Sequence, residues 1–379
     1  MCHQSEHKMP SSARNTSRVP SYFGWIDALR GVAAICVVIF HYHHFYLAEY
    51  DVLASVRATA DFPYGAILGV VYDLGEEAVR LFWVISGFVF AHVYWSRDTT
   101  ARDFAIARIA RLYPLHFVTL LFVAILQIVS TTFAGHVQIF GNNDGWQFAQ
   151  QVFLLNHVLG FAGEPSFNGP IWSVSAELFA YAVFLATLTL TKRNPLIGSL
   201  LLAVVSYVAL SLRPDGFVIG QWALVCSVFF FAGSTCFAVY QQVHDKTAVM
   251  VATILAILGV AWVGHVTDSN NTVLLSLCCA IVLIVACMEK VTTHVGRGAR
   301  FLGDISYSIY LVHVPIQMVI LLLADLFFDA TRSFADSYVT LPAYLIVSIW
   351  CAYVVNVRFE KPIGLWVRRR MRGAANVTG

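Results

Sequence analysis

The sequence predicts an all-α fold, a polytopic transmembrane helical bundle of about ten spans with the N-terminus and C-terminus both cytoplasmic. Three observations predict it. Hydrophobic residues make up 58% of the 379 residues and charged residues only 12%, so a soluble chain of this size could not cover its own surface. A hydrocarbon core about 30 Å thick takes about 20 apolar residues per helix. Ten such windows occur, at 26–46, 79–95, 114–134, 172–191, 195–212, 218–241, 248–266, 272–288, 304–324 and 339–357. The basic residues then fall on one side. Nineteen Lys and Arg lie in segments that ten spans would leave in the cytoplasm, against Arg57, Arg213 and Arg332 outside, with Arg30 and Arg80 at or inside spans. That is the positive-inside asymmetry, and one span more or fewer would break it.

Residues 1–20 are polar, lack the apolar core of a signal peptide and read as a disordered cytoplasmic lead. Residues 21–362 form one membrane domain, and the basic segment 363–379 is expected to lie against anionic headgroups of the membrane lipids. A net charge of +2 gives no reason to expect a nucleic acid partner. The eight cysteines lie mostly within spans, without the spacing of a disulfide framework or a metal site, and resemble small buried apolar residues.

The first span carries "RGVAAICVVIFHYHHF". Eleven helical residues separate Arg30 from His41, which brings the two side chains to within about 20° of one direction, about 16 Å apart along the axis. An arginine at a helix centre costs about 2.5–3.5 kcal/mol even on insertion scales. Arg30 reads equally as an anchor whose guanidinium reaches the surface and as a cavity residue. His41, deeper, reads as functional, because intramembrane ionisable groups usually face a cavity. His44 lies near the same face and His43 points elsewhere. In the second span, "RLFWVISGFVFAHVYW", Ser86–Gly87 is a small pair suited to close helix approach; Ser86 is also a hydrogen-bond donor. Arg80 has Glu76 and Glu77 as candidate partners.

The connection "ARDFAIARIARLYPLH" places Arg102, Arg108 and Arg111 on one helical face ahead of Pro114. They read either as topogenic charges or as a phosphate clamp, since arginine presents a rigid fork of donors to phosphate oxygens. Within the outer loop 135–171, "DGWQFAQQVFLLNHVLGF" is a candidate amphipathic surface helix. It leads into "FNGPIWSVSAELFAYAVF", where Ser173, Ser175 and Glu177 enter the membrane. Glu177 reaches a depth similar to His41 and is the expected partner of that imidazole, whether as an orienting group or as a structural ion pair. In "FLGDISYSIYLVHVPIQMVI", Gly303–Asp304 reads as a turn and cap, Tyr307 and Tyr310 step along one side, and His313 reads as a satisfied core histidine.

Five stretches in order, "WIDALRGVAAICVVIFHYH", "LFWVISGFVF", "RIARLYPLH", "IWSVSAELFAY" and "LGDISYSIYLVHVP", closed by "FEKP", give the chain a resemblance to acyltransferase family 3, integral membrane enzymes of about ten helices that include O-antigen and exopolysaccharide O-acetylases. The family's Arg-x10-His signature falls on Arg30 and His41, its Arg-x-x-Arg on Arg108 and Arg111, its Ser-Gly-Phe on Ser86, Gly87 and Phe88, and its membrane-entry glutamate on Glu177. The segment "SAELFAY" departs from the more polar stretch of many members, and no hydrolase-like C-terminal domain is recognisable. The resemblance implies O-acyl transfer, usually acetyl, from acyl-CoA to a hydroxyl of a sugar or lipid-linked glycan in a bacterial inner membrane. Arg30, Arg108 and Arg111 would hold the donor phosphates, His41 oriented by Glu177 would act as general base, and Ser86 or Tyr307 would donate to the oxyanion. An acyl-His intermediate stays open beside direct transfer. No metal is expected: "HYHH" has no second ligand cluster of recognisable spacing. The rival class is a proton-coupled secondary transporter of a small solute, which also buries His and Glu but commonly shows repeats and broken helices.

Overall fold

A computed structural model describes residues 19–47, 59–156, 165–214, 220–292, 295–328 and 332–373. Its helices in chain order are α1 (Gly24–Phe40), α2 (Gly65–Leu74), α3 (Ala78–Trp95), α4 (Ala101–Phe133), α5 (Gly145–Val152), α6 (Ile171–Ala186), α7 (Leu188–Arg193), α8 (Pro195–Ser211), α9 (Gln221–Val243), α10 (Thr247–Val266), α11 (Asn270–Val291), α12 (Arg297–Phe327), α13 (Thr340–Val355) and α14 (Lys361–Gly373). The described residues contain no strand. Eight helical stretches are long and apolar enough to cross a membrane, and α6 and α8 are shorter apolar helices. Each of the ten apolar windows coincides with one of these ten stretches. The lead 1–18, Arg57 and part of the expected surface helix (157–164) lie outside the described residues.

Two boundaries differ from expectation. Gly303–Asp304 is neither a turn nor a cap, because α12 starts at Arg297 and runs through both. Gly303 serves packing instead: a Cβ there would meet the Asp27 carbonyl oxygen of α1 at 2.3 Å, and one on Gly31 would meet Leu302 Cβ at 2.6 Å. Likewise α4 does not begin at Pro114. It starts after Thr100, whose hydroxyl oxygen accepts the Asp103 amide at 3.0 Å, so the arginine segment and the span share one 33-residue helix. Capping satisfies an amide that would otherwise lack a partner.

Small residues set the central crossings, as expected where helices meet without a hydrophobic driving force. A Cβ on Gly87 of α3 would fall 1.7 Å from the Phe230 carbonyl oxygen of α9, and one on Gly233 of α9 would fall 1.9 Å from that of Val84. Around this contact lies an aromatic core. Phe90 stacks on Tyr181 at 4.3 Å between ring centres, and Phe184 and Phe230 meet it edge-on. The cysteines of the described residues are free thiols, most of them buried; Cys2 lies outside those residues.

Beyond α13 a π-helical turn, Asn356–Glu360, leads into α14. Such turns are frequent at functional sites. The segment expected as a basic tail is helical up to Gly373, and Gly364 brings α14 onto α4, where a Cβ would stand 2.8 Å from the Ala110 carbonyl oxygen.

Candidate active site

Helices α1, α3, α4, α6, α12 and α14 enclose a cavity of about 320 Å³. Its wall contains six of the seven residues singled out from the sequence: Arg30, Ser86, Arg108, Arg111, Glu177 and Tyr307. Five helices separated along the chain therefore deliver their polar residues to one space. Helical periodicity explains the local part, since Arg108 and Arg111 stand three residues apart on one face of α4.

In its wall the Ser86 hydroxyl donates to the Glu177 carboxylate, with the Tyr181 hydroxyl 3.4 Å from Ser86 Oγ. This pairing corrects the expected match of Glu177 with His41. Depth alone put the two together, but Ser86 on α3 presents its hydroxyl directly to the carboxylate of α6, which needs a donor when buried.

The guanidinium groups line the same cavity, Arg108 lying 5.9 Å from the Tyr181 ring centre. Arg30 pairs with Asp27 at 3.3 Å. Arg111 pairs with Glu360 of the π-helical turn, and that buried carboxylate also accepts from Ser308 and from Asn356, the latter at 3.1 Å. Arg108 lies over the Phe90 ring, 4.8 Å from its centre, and donates to the Tyr94 hydroxyl at 3.2 Å. Arg368 of α14 completes the set. The Tyr307 hydroxyl gives its proton to the Leu112 carbonyl oxygen at 2.7 Å, so it is already committed within the protein and not free for the oxyanion role expected of it.

His41 is not in the cavity wall. It begins a 3-10 turn, His41–Tyr46, at the end of α1, and its ring belongs to a histidine cluster. Ring centres lie 5.0 Å from both His44 and His313 and 6.1 Å from His43. Nδ1 of His41, His43 and His313 faces the carbonyl oxygen of Val37, Phe40 and Ile309, at 2.8, 2.7 and 3.3 Å. A carbonyl only accepts, so in each neutral ring Nδ1 carries the proton and Nε2 the lone pair. Gln317 orders the fourth: its amide donates to the His41 carbonyl oxygen at 2.7 Å, which turns its own oxygen towards His44 Nδ1 at 3.1 Å. His313 is thus only half the satisfied core histidine expected, because its buried Nε2 has no hydrogen-bond partner among the described residues. Tyr310 links cluster and cavity. It lines the cavity, and its ring centre lies 6.0 Å from that of His313.

Arg80 pairs with Glu77 at 3.0 Å, as its neighbours suggested. Among the described residues no group of three or more His, Cys, Asp or Glu is disposed to hold a metal ion. Sequence reasoning missed Glu360, Tyr181 and Arg368. Glu360 had a visible signal, a carboxylate at the end of an apolar window. Arg368 had none, standing in a run of basic residues that reads as a membrane anchor.

The family model described as an acyltransferase domain, that of acyltransferase family 3, matches residues 23–357. Acyltransferase MdmB of Streptomyces mycarofaciens is 31% identical over 184 residues, which cover 47% of this chain and 41% of that relative's length. No solved structure gives a significant match. With the matched region taking in α1 to α13 and every cavity residue except Arg368, the chain belongs to acyltransferase family 3 and is a multi-pass membrane protein.

Proposed function

We propose that the protein transfers an acyl group, acetyl in the simplest case, from acyl-CoA to a hydroxyl of a sugar or lipid-linked glycan, with His41 as general base. The observation that carries this reading is the cavity itself, which gathers four guanidinium groups around the Ser86–Glu177 pair. The donor's phosphates suit the arginines. Its thin pantetheine arm leads the thioester towards the interior. His41, with Nδ1–H held by Val37, offers Nε2 to the acceptor hydroxyl. As that hydroxyl attacks the thioester carbonyl, its proton passes to His41 and the thiolate of CoA departs. Glu177 holds Ser86, whose oxygen lies in the cavity wall. The arginine segment of α4 faces the cytoplasm in the N-in, C-in orientation that the basic residues support, and the membrane is the bacterial inner membrane.

The test is binding of acetyl-CoA to the purified protein in detergent, with dephospho-CoA as control. Saturable binding that weakens on removal of the phosphate is the expected result. A folded protein that does not bind would overturn the donor assignment and return proton-coupled transport to consideration, to be measured as flux.

A further inference from the structure

The four cavity arginines are not equivalent. Arg30 and Arg111 each have a carboxylate partner, Asp27 and Glu360. Arg108 and Arg368 form no ion pair among the described residues, and the Nε of each is buried without a hydrogen-bond partner. A buried guanidinium donor left unmade costs more than a neutral one. These two side chains are also shared by two cavities. Both line the inner cavity of about 320 Å³ and a second, outer cavity of about 660 Å³, whose wall adds Arg97 and Arg372.

Arg368 is set apart from its neighbours. Arg369 and Arg370 are exposed, Arg370 lying over the Trp366 ring, and Arg372 pairs with Asp103 at 3.3 Å. The inward turn of Arg368 follows from spacing. Glu360, Gly364 and Arg368 recur every four residues and so form one stripe. Glu360 is tied to Arg111 and Gly364 rests against Ala110, which leaves Arg368 on the same face one turn beyond, beside Arg108.

We propose that Arg108 and Arg368 clamp a diphosphate, that of the acyl-CoA donor, and that α14 is thereby part of the binding site. The identity of the ligand rests on the reading given under Proposed function; the clamp rests on the two unpaired guanidinium groups. A diphosphate offers oxygens to both forks at once, and Arg111, already neutralised by Glu360, serves to position α14 against α4.

The test uses the full chain in detergent with inorganic pyrophosphate, CoA and acetyl-pantetheine as separate probes. Arg368→Ala is expected to weaken pyrophosphate and CoA by about tenfold to a hundredfold, the worth of a charged hydrogen bond. Acetyl-pantetheine, which has no phosphate, should bind unchanged, as should every probe to Arg370→Ala. Arg368→Lys, which retains the charge, should recover part of the loss and serves if the alanine variant unfolds. A folded Arg368→Ala protein with wild-type affinity for CoA would overturn the clamp while leaving the acyl-CoA reading intact. Wild-type protein that binds pyrophosphate but not CoA would overturn the donor assignment instead. Displacement of pyrophosphate by farnesyl diphosphate, with none by CoA, would do the same and give the clamp to a lipid-linked diphosphate.

Discussion

At the scale of single residues, the distribution of partners separates chemistry from scaffolding. Nδ1 of His41 faces the Val37 carbonyl oxygen, which leaves Nε2 for the proposed base role, so on that reading its loss should remove base catalysis without disturbing donor binding. His41→Ala is expected to lower turnover by about 10²–10⁴-fold, with acetyl-CoA affinity and unfolding temperature close to wild type; normal turnover by a folded variant would end the assignment. Glu360→Ala should behave differently. It leaves Arg111 without its carboxylate and Ser308 and Asn356 without their acceptor. Breaking a buried pair from one side costs about 3 kcal/mol or more, seen as a fall in unfolding temperature in detergent. These residues also show what was legible. Arg30, Arg108, Arg111, Ser86, Glu177 and Tyr307 stood out because polar groups are conspicuous in apolar windows, and all six reach one cavity. Their pairings were not legible, since Glu177 found Ser86 across helices rather than the histidine at equal depth.

At the scale of elements, windows of hydropathy located the ten apolar stretches well, because lipid demands the same composition whatever the helix packs against. Helix ends were harder. Glycine at 303 resembles a terminator in a linear reading, and only its contact with Asp27 reveals an interior packing position. The π-helical turn at Asn356–Glu360 had no signature at all. The crossing of α3 and α9 gives a direct test of glycine packing. Gly87→Ala would set a methyl group against the Phe230 carbonyl oxygen, and the helices must part at a cost of at least about 1–3 kcal/mol. Gly259→Ala on α10, where a Cβ meets nothing within 4 Å, should leave thermal stability unchanged or slightly raised. Equal stabilities of the two variants would remove the close-packing account of the α3–α9 contact.

At the scale of the whole molecule, orientation follows from charge rather than from the bundle's geometry. In a cysteine-free background, Asp268→Cys in the α10–α11 connection is expected to react with an impermeant maleimide in intact cells. Asp245→Cys, in the α9–α10 connection, should react only after permeabilisation. The reverse pattern would invert the assignment of sides and place the arginine segment of α4 outside. Charge asymmetry was the strongest global signal in the sequence. What it could not supply was closure. The chain assembles its cavity from residues as far apart as Arg30 and Arg368, and no local pattern reports such a meeting.

That separation has a consequence for biosynthesis. Arg368 leaves the ribosome after every other residue of the cavity wall, and Glu360, which tethers Arg111, only shortly before it. A nascent chain can insert α1 to α12 while Arg108 and Arg111 still lack their companions from the final turns. The arginine-lined wall of the cavity is then completed late, when α14 docks on α4, so maturation of this membrane protein has a last step that the bilayer itself does not drive.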